Sequence, residues 1–271
     1  MLVNPSAGGA GDIRNVVSAI DAFLSGCEVV AAQGFGGESV RAHAVMQTPQ
    51  GGYIGRLHAA VDALAAQRPD FYLVAGGDGL AAYVANRLLK TGNARPKILG
   101  VAMGTANVGP IVSFSADALA NARPEALSFS GCGAIEAFDG SDPVAFGFND
   151  IVFGNTILGT LDGKAQTISA LMMAREGKKV PQAPLESIGA SIHIVKNGVR
   201  SPSPLPHTAQ IVASAVERER LYGRAVAGML CFTCWNQAQA ALLLSERPLV
   251  VTDYDPRGFE TPALSAQIVF G

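Results

Sequence analysis

Strand-like and helix-like segments alternate along residues 1–110, and this alternation constrains the fold more than any other feature of the chain. Short apolar runs typical of strands cover residues 2–4, 28–32, 71–75 and 97–102, and apolar side chains at helical spacing cover residues 12–24, 53–67 and 80–89. Strands that alternate with helices pair in parallel, because the chain must cross back over the sheet between them. We therefore predict an α/β domain over residues 1–125, with a mostly parallel sheet and helices on both faces.

Two residues mark helix ends in this half of the chain. Asp12 is placed as the N-cap of the first helix, because a short polar side chain there can accept hydrogen bonds from free N–H groups. Gly92 stands just beyond the third helix, where a glycine commonly ends a helix.

From about residue 128 the pattern changes to short β-like segments, separated by turns rich in glycine, asparagine and proline. Turns are expected at Asp139–Pro143 and within "KNGV" at 196–199. This pattern predicts a β-rich C-terminal domain over residues 126–271. We leave open whether the last strand returns to the first domain.

Composition and charge exclude several classes of partner. Charged residues make up only 15% of the chain and the formal net charge is −2, so no basic face is expected for nucleic acid. No apolar run approaches the roughly 18 residues needed to cross a bilayer. The segment "MLVNPSAGG" lacks the basic and apolar regions of a signal peptide, and the four cysteines are scattered. We expect a cytoplasmic protein without integral membrane association.

The tetrapeptide Gly76–Gly77–Asp78–Gly79 follows a predicted strand and opens a predicted helix. Glycines at such a place let the backbone approach a phosphate, and the helix N-terminus offers N–H groups to it. A carboxylate repels phosphate unless a cation bridges the two, or unless it takes a proton from an attacking hydroxyl. The alternative is that Asp78 simply N-caps the helix.

Two further glycine-rich turns follow predicted strands of the same sheet. "NPSAGG" begins at Asn4, and Gly104, Thr105, Ala106 and Asn107 supply a turn with a hydroxyl and an amide. Turns at the carboxyl ends of parallel strands line one crevice, and three of them together favour a nucleotide site. The turn "GFGG" at 34–37 is only part of a dinucleotide fingerprint, so a Rossmann dehydrogenase is a weaker hypothesis.

The order "NP-x-x-GG", then "GGDG", then "G-T-x-N", then a β-rich half resembles the NAD kinase and diacylglycerol kinase superfamily. The segment "FGFNDIVFGN" at 146–155 resembles the element with which NAD kinases open their β domain. The asparagine of "GTAN" is similar to one in the lipid kinases. The chain is most similar to divergent members on the NAD kinase side.

The resemblance implies an ATP- or polyphosphate-dependent kinase that phosphorylates a hydroxyl of NAD or a related nucleotide, with Mg²⁺ accompanying ATP. Asp78 would be the catalytic carboxylate, and no protein metal site is implied. The nucleotide and phosphates would be held by Asn4, Gly76, Gly77, Gly79, Gly104, Thr105, Asn107, Asn149 and Asp150. The family also implies a homo-oligomer formed through the β domain. From the residues alone, Asn149–Asp150 would be read as a β-turn or bulge pair.

Two alternative functions stay open. One is a soluble lipid kinase that acts on diacylglycerol or a sphingoid base. The other is a catalytically weakened nucleotide-binding regulatory protein, because Leu80 stands where the family has threonine. The glycine turns also carry no lysine or arginine to balance a triphosphate. By position alone the candidate cations are Arg14, Lys164, Arg175, Lys178 and Lys179, and each is more commonly a solvated surface charge.

Overall fold

The structure is a computed structural model that describes most of the first half of the chain and shorter stretches of the second. The described residues are 1–4, 10–103, 109–139, 141–148, 150–153, 155–162, 164–183, 193–196, 199–202, 210–217, 220–221 and 240–245. The chain divides into two compact units, Met1–Cys132 and Gly133–Gly271, and each is described by itself. The roles that we predicted for residues 1–125 and 126–271 stay predictions.

The first unit alternates strands and helices, as the sequence predicts. Its elements are β1 (Leu2–Val3), α1 (Ala10–Phe23), β2 (Val30–Ala32), β3 (Ala44–Met46), α2 (Tyr53–Ala66), β4 (Tyr72–Gly76), α3 (Asp78–Lys90), β5 (Ile98–Ala102), β6 (Val112–Phe114), α4 (Ala116–Ala120) and a 3₁₀ turn (Pro124–Ala126). Phe129 contacts Phe71, with ring centroids 6.1 Å apart, so the unit extends past the 3₁₀ turn.

Within the described residues, β1, β4, β5 and β6 form a parallel sheet in the order β1-β4-β5-β6. The neighbouring strands β2 and β3 pair with each other in parallel. The backbone N–H of Val3 donates to the carbonyl of Phe35 at 2.8 Å, which joins the end of β1 to the turn after β2. The predicted parallel sheet of the N-terminal domain is therefore confirmed.

Side chains on successive residues of the central strands enter two different hydrophobic clusters. Leu2 and Val74 pack with α2 and α3 on one face, whereas Val3 and Ala75 pack with α1 and α4 on the other. This alternation follows from the two-residue period of a strand, and both clusters are buried. Helices therefore cover both faces of the sheet, as predicted.

Several element ends differ from the sequence-based expectations. Helix α1 begins at Ala10, so Asp12 lies inside its first turn and is not its N-cap. Glu28 and Val29 precede β2 instead of belonging to it, and the Val29 N–H donates to His43 Nδ1 at 3.1 Å. Gly92 follows the C-cap of α3 with φ +91°, in the left-handed conformation expected there.

The described part of the second unit consists mainly of strands. They are β7 (Ile135–Asp139), β8 (Asp142–Gly147), β9 (Asp150–Phe153), β10 (Thr156–Leu161), β11 (Lys164–Ser169), β12 (His193–Lys196), β13 (Val199–Pro202), β14 (Gln210–Glu217), β15 (Arg220–Leu221) and β16 (Ala240–Ser245). The strands on either side of the two predicted turns, β7 with β8 and β12 with β13, pair in antiparallel fashion. The β-like sequence pattern also includes segments at 225–235 and 264–271, and these lie outside the described residues.

One helix of the second unit interrupts the predicted run of strands. Helix α5 covers Ala170–Glu176, and the hydroxyl of Ser169 caps it by accepting from the Met172 N–H at 3.2 Å. Gly177 ends it with φ +66°. The β-rich character of the whole unit stays a prediction. In the described part of the chain, no helix is long and apolar enough to cross a membrane.

Candidate functional site

Three strand ends of the first unit meet at one edge of the sheet. The N–H of Asn4, just after β1, donates to the Ala75 carbonyl of β4 at 2.9 Å. The N–H of Met103, just after β5, donates to the Gly76 carbonyl at 3.1 Å. The glycine turns that follow these strands therefore start side by side, at the carboxyl edge where parallel sheets bind ligands.

Helix α3 begins directly at this edge. Gly77 is its N-cap, with φ −92° and ψ 174°, and no side chain caps the helix by a hydrogen bond. Asp78 is the first helical residue, so the alternative in which Asp78 N-caps the helix is wrong. The first N–H groups of a helix have no partner within the helix, and here they face the edge that holds the glycines.

The carboxylate of Asp78 connects α3 to the segment that follows β5. Its Oδ2 accepts a hydrogen bond from the Gly109 N–H at 3.0 Å, and its Oδ1 is buried. A negative charge in the first turn of a helix is also stabilised by the helix dipole, by about 0.3–1 kcal/mol. The carboxylate is thus fixed in place at the N-terminus of α3, which no side chain caps.

Gly76 and Gly79 differ in the space around them. A Cβ on Gly76 would lie 2.9 Å from Leu80 Cδ2 and 3.6 Å from Asn4 Cβ, so this position is filled by the protein itself. A Cβ on Gly79 would meet nothing within 4 Å, and Gly79 is exposed. Gly79 therefore leaves room for an external group to approach the backbone at the start of α3.

Leu80 is a core residue. Only 5% of its surface is exposed, and it belongs to the cluster that contains Phe35, Val74 and Val84. Where the resemblance implies a hydroxyl, this chain has a side chain that packs between α3 and the sheet. The departure from the family motif thus has a structural reason, which is the filling of the space beside Gly76.

The remaining predicted site residues follow β5 in the sequence or stand at or just before the start of β9. Gly104, Thr105, Asn107 and Asn149 lie outside the described residues, although Met103 leads into the first three from the carboxyl edge. Asp150 is described as the first residue of β9, where it pairs with Ser214 of β14. The binding roles of these residues stay predictions.

The five cations that we considered from sequence are all exposed. They are Arg14, Lys164, Arg175, Lys178 and Lys179. The Lys178 ammonium donates to Glu176 Oε2 at 2.7 Å, and this hydrogen bond raises the pKa of Lys178. A surface pair of this kind contributes little to stability. The reading of these side chains as solvated surface charges fits their positions.

Sequence reasoning missed Gly109. Its part in the site depends on a backbone N–H that reaches Asp78 from 31 residues along the chain, and a glycine carries no sequence signal for such a contact.

The Mg²⁺ ion that the sequence predicts together with ATP would need oxygen ligands at the carboxyl edge. Among the described residues, no three His, Cys, Asp or Glu side chains group together as a metal site. Mg²⁺ in such enzymes is commonly held by one or two carboxylates together with substrate phosphates. The carboxylate of Asp78 at the carboxyl edge has the oxygen chemistry that this arrangement needs.

The comparisons with known proteins agree with the geometry of the first unit. Residues 1–112 match the family model of the diacylglycerol kinase catalytic domain, a span that includes β1, the glycine motif and Asp78. None of the curated proteins matches the chain significantly. The match indicates a phosphotransferase domain of the NAD kinase/diacylglycerol kinase-like superfamily over residues 1–112, and the chain fits a divergent member.

Proposed function

We propose that the chain is an ATP- or polyphosphate-dependent kinase that phosphorylates a hydroxyl of NAD or a related nucleotide. The observation that carries the proposal is the position of Asp78. Its carboxylate lies in the first turn of α3, beside an uncapped helix N-terminus, and is held there by the Gly109 N–H. This arrangement combines an anion-binding backbone with a fixed proton acceptor.

In the proposed reaction, Asp78 accepts the proton of the acceptor hydroxyl as the oxygen attacks the terminal phosphorus of the donor. A new O–P bond forms, the bond between that phosphorus and the leaving phosphate oxygen breaks, and ADP or a shortened polyphosphate leaves. A positioned general base contributes about 10²–10⁴-fold to such a step. Mg²⁺ bound with ATP would supply positive charge to the phosphates.

The backbone at the carboxyl edge is assigned to the phosphates of the donor. The N–H groups at the start of α3 would bind them, and the open space at Gly79 lets a phosphate oxygen come close to the backbone. Asn4 would border the donor side, since it lies against Gly76. Gly104, Thr105 and Asn107 would complete this side from the turn that begins after Met103.

The nucleotide acceptor is proposed from the sequence. Asn149 and Asp150 stand where NAD kinases carry an asparagine–acid pair, and they would hold the acceptor. NADP would then be the product when NAD is the acceptor. We also propose, from the sequence alone, that the protein forms a homo-oligomer and is located in the cytoplasm.

A lipid alcohol is the second candidate acceptor. The matching family model is that of the diacylglycerol kinase catalytic domain, which favours diacylglycerol or a sphingoid base. NAD and the lipid alcohols would receive phosphate from the same donor site, so one phosphate-transfer assay can show which of them is the acceptor.

The test is a phosphate-transfer assay with labelled ATP or polyphosphate and with NAD, NADH and diacylglycerol as acceptors. We expect transfer to NAD and at least a 100-fold loss in Asp78→Asn, which keeps an oxygen for the Gly109 N–H but removes the base. Asp117→Asn is the matched control, because Asp117 also lies in the first turn of a helix in this unit and is exposed.

Each other outcome points to a different function. Transfer to diacylglycerol alone would show that the protein is a kinase whose acceptor is a lipid and not a nucleotide. If the protein binds ATP tightly, transfers phosphate to no acceptor, and behaves the same in Asp78→Asn, the result would support a regulatory nucleotide-binding protein.

A further inference from the structure

Arg56 is a cation near the carboxyl edge that the sequence did not single out. It lies in the first turn of α2, and its side chain is half-buried. Its Nε is fully buried and has no hydrogen-bond partner among the described residues. It also takes part in none of the ion pairs in the described part of the chain.

A buried donor of a charged group without a partner is costly, and native proteins rarely keep one unless an ion or other group completes it. The Phe35 ring offsets part of this cost, because the guanidinium lies over it at 6.0 Å from the centroid. Glu38, the carboxylate of the same turn, accepts from the Gly34 N–H at 2.8 Å. The charge of Arg56 is therefore available to an external anion.

The surroundings of Arg56 belong to the carboxyl edge. Phe35 lies in the turn after β2, and its carbonyl accepts from the N–H of Val3, the residue before Asn4. The Thr48 hydroxyl, between β3 and α2, donates to the Gln33 carbonyl at 3.1 Å. The start of α2 and the end of β1 are thus joined through one turn.

Two tyrosines extend this group towards α3. The Tyr53 ring packs against Phe35 with centroids 5.8 Å apart. Burial raises the pKa of Tyr53, the nearby Tyr83 raises it further, and Arg56 lowers it. Tyr83 stands five residues after Asp78 on α3, which is about 7.5 Å along the helix axis. Tyr53 and Tyr83 pack against the same hydrophobic cluster that contains Phe35 and Leu80, so this cluster joins the surroundings of Arg56 to the first turn of α3.

We propose that Arg56 binds a phosphate group of the donor. This inference rests on the proposed function, which needs positive charge near a triphosphate, and the glycine turns themselves contain no lysine or arginine. The planar guanidinium suits a phosphate, because it presents donors in a fork that can bind two oxygens. The Phe35 ring lies against the guanidinium and is itself packed against Tyr53, so the fork is positioned before the ligand arrives.

The test measures the binding of ATP, tripolyphosphate and adenosine to the full chain in the presence of Mg²⁺. We expect Arg56→Gln to weaken ATP and tripolyphosphate about 10- to 100-fold and to leave adenosine unchanged, because only the phosphates are contacted. Arg56→Lys keeps the charge without the fork and should recover part of the loss. Arg41→Gln is the matched control, since the Arg41 side chain is 91% exposed.

Three outcomes would overturn the inference. They are ATP binding within two-fold of the unmodified chain in Arg56→Gln, an equal loss for adenosine, and no binding of ATP or tripolyphosphate by the unmodified chain. Thermal unfolding of each variant separates lost binding from lost folding. Phosphate transfer is measured in parallel. ATP binding without transfer would refute the proposed kinase activity, whereas the effect of Arg56→Gln on ATP binding tests the role of Arg56 separately.

Discussion

Replacing Gly79 by alanine should stabilise the protein and weaken its donor binding at the same time. Gly79 is the second residue of α3, it is exposed, and a Cβ there would meet no protein atom within 4 Å. Alanine restricts the unfolded chain more than glycine does, and it fits a helical backbone without strain. The free energy of unfolding should therefore rise by about 0.4–1 kcal/mol.

The effect on binding has the opposite sign. If a phosphate oxygen approaches the backbone at Gly79, the added methyl group takes its place, and overpacking of this kind costs about 1–3 kcal/mol. Because 1.4 kcal/mol corresponds to a ten-fold change, we expect ATP to bind roughly 5- to 150-fold more weakly. The melting temperature should meanwhile rise by roughly 1–3 °C.

Thermal unfolding and ATP titration on the same preparations test both parts. Gly55→Ala is the matched control, because Gly55 is also an exposed helical glycine whose Cβ would meet nothing within 4 Å. We expect it to stabilise the protein by a similar amount and to keep ATP affinity. A more stable Gly79→Ala protein that binds ATP as well as before would refute the phosphate site at the start of α3.

Asp78→Ala should lower the free energy of unfolding by about 2–3 kcal/mol, since it removes the charged acceptor of the Gly109 N–H. Asp78→Asn should lower it by only about 1 kcal/mol in the same urea titration. Equal losses in the two variants would contradict a stabilising hydrogen bond between Asp78 and Gly109. Leu80→Thr should destabilise the chain by about 2–4 kcal/mol without raising the transfer rate, and a faster transfer would show that the missing hydroxyl matters. Burial, and then Arg87, lower the pKa of His58, so the unfolded state binds more protons and stability should fall as the pH drops below 6.5. His58→Gln should flatten this slope in melting curves from pH 5 to 8, and an unchanged slope would assign it to other groups.

In the first unit, an element could be predicted where the spacing of its apolar residues and its length both indicated the same type of secondary structure. Helix α2 and strand β4 match their predicted segments closely, because each carries a strong periodic pattern between turn residues. The strands β3 and β6 and the helix α4 were not predicted, because they are only three to five residues long and leave no clear period. Helix α5 could have been predicted from its N-cap residue Ser169 and its C-cap residue Gly177. It was not predicted, because the segments around it have the pattern of strands.

The candidate site divides along the same line. The place of Asp78 followed from a strand, two glycines and a helix in sequence, which are all local. Its hydrogen-bond partner Gly109 and the cation Arg56 depend on contacts between segments far apart in the chain, which one sequence does not contain. The expected N-cap role of Asp12 failed because α1 begins two residues earlier, and helix ends are the least determined part of a periodic pattern.

The burial of Leu80 also bears on how such a protein can change by mutation. The side chain that departs from the family motif is held by the same packing that fixes the start of α3 against the sheet, since it touches the space beside Gly76. A single change of Leu80 to threonine would open a hole in the interior and place a hydroxyl beside apolar groups. Introducing the threonine of the similar family at this position would then require compensating changes nearby. The substitution is in this sense entrenched: selection on foldedness alone would retain it, independently of any selection on the reaction.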